Sequence, residues 1–165
     1  MPLLVGIHAK WLLRKHPERS REGSFLNKRS KIMIKAVVGV LYSDDSTKVL
    51  MLKRRGDDRT ATGWCFPGGK RDGVEDLRQT LIREFREETN LDIIPTKLML
   101  CADSGKYRVY VYEVVMEGGS YPNVLLPSDE HVVETWATPD KALQSDRFPL
   151  AGPVTERVLN MIISR

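Results

Sequence analysis

Cysteine is scarce in this 165-residue chain, and the two present, Cys65 and Cys101, show no metal-ligand spacing and no disulfide framework. That excludes a disulfide-stapled secreted scaffold and makes a reducing cytoplasm the expected location. Long hydrophobic runs are also missing. Nothing approaches the roughly 18 apolar residues of a membrane span, so no membrane partner is expected. Leu3 to Ile7 is too short for a signal-peptide core, and charges follow it instead of leading it, so no export is expected. Internal repeats and low-complexity runs are absent, which excludes solenoids and biased tracts.

What is present is ordinary for a globular protein: 41% apolar and 29% charged residues, in a chain long enough to bury one core. The net charge of +4 is unevenly spread. Residues 1–35 hold nine Lys and Arg against Glu18 and Glu22, leaving seventeen basic and twenty acidic residues in the remainder. Residues 1–31 therefore read as a basic extension and 32–165 as the domain proper. A basic arm beside an acidic site suits a polyanionic substrate, and it can equally be a solubilising segment. It lacks the aromatic interleaving that single-strand binding uses. Ile7 to Lys15 can form a short helix with Trp11 and Leu12 facing inward, ended by Pro17.

Ile32 to Tyr42 is rich in β-branched residues and predicts a buried strand. Ser43 to Ser46 is turn chemistry, and Lys48 to Lys53 predicts the return strand of a hairpin. Arg54, Arg55 and Arg59 follow in a polar stretch, where they can meet phosphates or stay solvated. Trp64 to Pro67 predicts a short strand. Thr96 to Ala102 and Tyr107 to Met116 predict two more, joined by a turn at Asp103 to Lys106. In the second, Tyr107, Val109, Val111 and Glu113 share one face, and Arg108, Tyr110, Tyr112 and Val114 the other. Gly118 to Ser128 predicts a long loop, a lid or substrate edge. A last strand spans Val132 to Ala137. A helical turn from Pro139 toward Leu143 and a helix from Pro153 to Ile163 close the chain, the latter with Val154, Val158, Leu159 and Ile162 inward. Strands flanking one central helix argue for mixed α/β layers.

The central segment, Gly68 to Leu91, reads GGKRDGVEDLRQTLIREFREETNL. Its double glycine allows backbone angles closed to other residues, so a carbonyl can be turned to a ligand. Asp76 and Gln79 form a capping box, and Leu77, Leu81, Ile82 and Phe85 recur at helical spacing. Asn90 suits the left-handed position past the helix end. Glu84, Glu87 and Glu88 stand at i, i+3 and i+4, so their carboxylates converge on one face. Like charges so placed repel, and a cation reverses that sign. Hard oxygens in such a set suit Mg²⁺ or Mn²⁺. Arg83 can orient Glu84 or pair with Glu87. A solvated acidic helix face is the plain alternative, but it needs neither the glycines nor Glu75 at its fixed spacing.

Gly69, Glu75 and the run Arg83 to Leu91 together resemble the Nudix box, G-x5-E-x7-R-E-U-x-E-E-x-G-U with U bulky and apolar. The match spans 23 positions and departs at one, where Asn90 replaces glycine. The resemblance implies an α/β/α sandwich with a mixed sheet between helices, and a divalent-metal-dependent hydrolase that cleaves phosphoanhydrides in nucleoside diphosphate-linked compounds. It implies Glu84, Glu87, Glu88 and the Gly69 carbonyl as metal ligands, with Arg83 and Glu75 in support. Family members differ in their general base, so the resemblance offers two candidates here: Glu84, or an acid outside the box, Glu130 or Glu134. Nucleoside triphosphates and dinucleoside polyphosphates are the leading substrates. Tyr107, 16 residues past the box, matches a tyrosine found near that distance in some members acting on dinucleoside polyphosphates. The basic arm keeps an RNA 5′ end as the runner-up, and a non-catalytic nucleotide sensor is the other class. The oligomeric expectation is a monomer or homodimer.

Overall fold

The computed structural model of the protein describes residues 33–56, 63–119, 131–146 and 148–165, all within one compact unit, Ile32–Arg165. The helix expected between Ile7 and Lys15, Arg59, Glu130 and most of the expected lid lie outside the described residues.

Seven strands and three α-helices follow in the order β1 (Ile34–Leu41), β2 (Val49–Arg54), β3 (Gly63–Cys65), β4 (Gly68–Lys70), α1 (Leu77–Thr89), β5 (Ile93–Ser104), β6 (Tyr107–Met116), β7 (His131–Ala137), α2 (Pro139–Gln144) and α3 (Pro153–Ile163) among the described residues. They build a four-stranded sheet, β4-β1-β6-β5, and a three-stranded sheet, β3-β2-β7. β1 runs parallel to β6, and every other pairing between these strands is antiparallel.

Successive residues of β1 enter different cores, as the two-residue strand period requires. Val37 and Leu41 pack with Leu81 and Phe85 of α1, while Val40 packs with Val158 and Leu159 of α3. Helices thus cover both faces, giving the α/β/α arrangement. On β6 the expected alternation holds: Val109 and Val111 go to the α3 side, Tyr110, Tyr112 and Val114 to the α1 side. Gly39 sets how closely α1 approaches, because a Cβ there would stand 2.5 Å from Phe85 Cε2.

The expected β1–β2 hairpin is only partly there. Tyr42 pairs with Val49, and the Ser43 N–H donates to the Lys48 carbonyl at 2.9 Å. Beyond that the strands part into different sheets. A strand has two edges, and both edges of β1 are taken by β4 and β6. The β5–β6 turn is tighter than expected, with Gly105 at φ 60° and Lys106 as its two residues. One position of the α1 stripe also differs: Ile82 is 41% exposed, and Thr80, Glu88 and Thr89 are buried instead.

Candidate active site

The double glycine forms β4 rather than a free loop. Gly68 pairs with Val38 and Gly69 with Val37 of β1. Gly68 has φ 142°, and a Cβ on it would fall 2.2 Å from the Val37 carbonyl oxygen. A Cβ on Gly69 would fall 2.4 Å from the Glu84 carboxylate. The first glycine lets two backbones meet; the second clears the space in which Glu84 ends.

The ends of α1 fix which residues face that space. Asp76 Oδ1 accepts the Arg78 N–H at 2.8 Å and the Gln79 N–H at 2.9 Å, while Gln79 Oε1 accepts the Asp76 N–H at 3.1 Å. This is the capping box expected from the sequence. Asn90 ends the helix at φ 56° and ψ 27°, its N–H donating to the Arg86 carbonyl. An asparagine thus holds the left-handed position.

Arg83 is the hub of the acidic face. Its Nε lies 3.1 Å from Glu75 Oε1, its Nη2 3.0 Å from Glu84 Oε1, and its Nη1 3.0 Å from Glu87 Oε2. Nη2 also donates to the Lys70 carbonyl at 3.5 Å. The three acids hold the guanidinium further above its ordinary range, the hydrogen bond with Glu75 contributing most. Arg83 in turn draws the Glu75 carboxyl below its ordinary value.

Glu88 faces inward and is 4% exposed. The Gly68 N–H donates to its Oε2 at 2.8 Å, and its Oε1 lies 3.5 Å from His131 Nδ1. His131 Nε2 is 3.8 Å from Cys65 Sγ, and that thiol reaches the Leu52 carbonyl at 3.6 Å. Burial pushes the Cys65 thiol up to about 12; Glu88 adds to this and Arg54 opposes it.

Two clefts flank this region. The smaller, about 150 Å³, is lined by Arg54, Cys65, Phe66, Val109, Val154 and Thr155 among others. The larger, about 460 Å³, lies between β1, β6 and the start of α1, with Lys35, Arg71, Glu75 and Tyr112 on its walls. Arg55 is exposed. Tyr107 carries two cations against its ring, Lys70 Nζ at 5.8 Å and Lys106 Nζ at 5.4 Å from the centroid. Glu134 is exposed on β7 opposite Leu52. Cys65 also pairs with Leu52, and cross-strand partners share a face, so Glu134 and Cys65 lie on the same side of that sheet.

Among the described residues, no three His, Cys, Asp or Glu side chains already stand together as a metal cage. The carboxylates are turned to partners within the protein: Glu84 and Glu87 to Arg83, Glu88 to Gly68 and His131. The donor set nevertheless fits a hard divalent cation. It is all oxygen, it sits within one helical turn, and the bare Cα of Gly69 leaves its backbone open to Glu84.

A family model described as the NUDIX domain matches residues 33–158. The chain belongs to the Nudix family. CTP pyrophosphohydrolase of Escherichia coli (strain K12) is 28% identical over 137 residues, 81% of this chain and 96% of that protein. An 8-oxo-dGDP phosphatase of Danio rerio is 28% identical over 102 residues, 61% of this chain and 31% of that protein. The MutT protein of Methanosarcina mazei Go1 shares the fold with a TM-score of 0.63 at 24% identity, covering 82% of this chain and 96% of the other. A NUDIX hydrolase from Nitrosomonas europaea gives 0.65 at 19% identity, covering 80% and 88%. This Nudix hydrolase therefore has the fold that its box implies. No described helix is long and apolar enough to cross a membrane.

The sequence reading missed His131 as a neighbour of the box. The one available signal was a histidine immediately before the strand expected from Val132, and nothing in the spacing tied it to α1.

Proposed function

We propose that this Nudix hydrolase is a divalent-metal-dependent pyrophosphohydrolase, and that nucleoside triphosphates are its first substrates, followed by dinucleoside polyphosphates. The observation that carries this is the Glu84 carboxylate seated against Gly69, with Arg83 bound to Glu75, Glu84 and Glu87. The likeness to a CTP pyrophosphohydrolase over most of both chains supports it.

Glu84, Glu87, Glu88 and the Gly69 carbonyl would hold Mg²⁺ or Mn²⁺. Bound there, the ion supplies positive charge against the phosphate oxygens and makes water a better nucleophile. The chain does the rest by placement, as phosphoryl transfer demands. The smaller cleft takes the nucleoside against Phe66 and Val109, and Arg54 on its wall meets phosphate. Arg83 fixes the rotamer of Glu84, which accepts the proton of the attacking water. Glu134, exposed on the sheet face it shares with Cys65, is the alternative base together with Glu130. Tyr107, with Lys70 and Lys106 on its ring, offers a stacking surface for the far end of a longer substrate.

Chromatography of products from CTP, other triphosphates, dinucleoside polyphosphates and 5′-triphosphate RNA, with Mg²⁺, tests this. Glu87→Gln and Glu88→Gln should each lower turnover by more than the roughly 10–100-fold typical of a partner behind a metal ligand. Undiminished turnover in both would remove the assignment, and tight nucleotide binding without product would favour a sensor. Preference for the RNA would favour the second reading, which rests on the nine basic residues among 1–35.

A further inference from the structure

A line of three side chains runs from the acidic face of α1 into the sheet layer. Glu88 and His131 are each 4% exposed. A carboxylate this deep needs donors at its oxygens. The Gly68 amide serves one at 2.8 Å. His131 Nδ1 stands 3.5 Å from the other. With Nδ1–H toward Glu88, Nε2 faces the Cys65 sulfur 3.8 Å away, and the one S–H there is shared between this ring and the Leu52 carbonyl at 3.6 Å. Cys65 itself lines the smaller cleft beside Arg54 and Phe66. Backbone irregularity marks the same spot: the β2–β7 register shifts between Lys53 and Arg54, so that His131 comes opposite Arg54. Bulges re-aim side chains in this way.

We propose that His131 is a positioning residue that aims the Glu88 carboxylate and links it, through one ring, to Cys65 on the wall of the nucleoside cleft. This role rests on the pyrophosphohydrolase reading above. A nucleoside seated against Cys65 and an ion held through Glu88 then bias one another, and reciprocally.

Three substitutions in the full chain separate this from simple packing. His131→Asn keeps a donor where Nδ1 stands. His131→Gln keeps a polar group where Nε2 stands, and His131→Leu fills the space with neither. Electron paramagnetic resonance titration with Mn²⁺ reads ion affinity without turnover. The Leu and Gln variants should lose about 10–100-fold in Mn²⁺ affinity, the usual effect of removing a partner behind a metal ligand. The Asn variant should keep most of it, and kcat for CTP should follow the same order. Unchanged Mn²⁺ affinity in the Leu variant overturns the proposal. So do equal losses in all three that track a falling unfolding temperature. A wild-type chain that neither binds Mn²⁺ nor hydrolyses any nucleotide overturns the function itself, and this role with it.

Discussion

Gly68 and Gly69 are neighbours, yet a methyl group on each meets a different kind of obstacle. On Gly68 it meets the Val37 backbone oxygen at 2.2 Å, at a φ of 142°. Neither backbone can yield cheaply, so Gly68→Ala should lose about 1–3 kcal/mol from strain alone, read in urea unfolding. On Gly69 the methyl meets the Glu84 carboxylate at 2.4 Å, the far end of a flexible side chain. That carboxylate can swing away. Gly69→Ala should therefore keep stability within about 0.5 kcal/mol while turnover falls with the displaced Glu84. Equal losses of stability in the two would refute this division. Glu75 shows its effect through pH. Its hydrogen bond to Arg83 lowers its folded pKa below 4.5. The unfolded state then binds its proton first, so the stabilisation is present above 4.5 and lost as pH falls through the lowered value. The advantage of wild type over Glu75→Gln in urea midpoint should shrink from neutral pH to below that window. A constant gap would mean that the Arg83 contact does not set the titration.

At the scale of the element, what was legible was local. The ends of α1 are written in Asp76, Gln79 and Asn90, residues whose side chains or tolerated angles act on their own backbone, and each stands where the sequence placed it. Alternation along β6 was legible for the same reason. Pairing across distance was not. Nothing near Ile34 says that β1 will lie between β4 and β6, so the hairpin signal at Ser43 to Ser46 overstated how far β2 follows it. Glu88 was placed on the acidic face, but its burial depends on Gly68 and His131, 20 and 43 residues away. Ile82 fitted the apolar spacing but is exposed, and the structure gives no packing reason for an isoleucine there. The helix ends support their own prediction. Asp76→Ala should cost about 0.5–2 kcal/mol through the lost cap. Asn90→Ala should cost about 1–2 kcal/mol for a left-handed alanine, whereas Asn90→Gly should be neutral or better. Thermal unfolding of the three distinguishes them. An Asn90→Ala variant as stable as wild type would show that the helix ends without that conformation.

For the whole molecule, charge decides which substrate profits from which part. The basic excess sits in residues 1–35, and the remainder is slightly acidic. A nucleoside triphosphate is short. On the proposed reading its few phosphates meet Arg54 and the face of α1, and longer-range attraction is screened over a Debye length of about 10 Å at 0.1 M salt. An RNA 5′ end is long, and every phosphate that meets a Lys or Arg adds a salt-dependent contact. Each such contact steepens the fall of log affinity with log salt by about 0.7 on a single strand. Replacing Lys10, Arg14, Lys15, Arg19 and Arg21 together by Gln should leave kcat/KM for CTP unchanged. For 5′-triphosphate RNA, the same variant should bind more weakly and with a flatter salt dependence. Kinetics with both substrates across a salt series, on wild type and variant, checks this. A collapse of CTP hydrolysis in a folded variant would place the basic segment at the active site. RNA turnover that exceeds CTP turnover in wild type, and is lost in the variant, would make the nucleic acid the substrate.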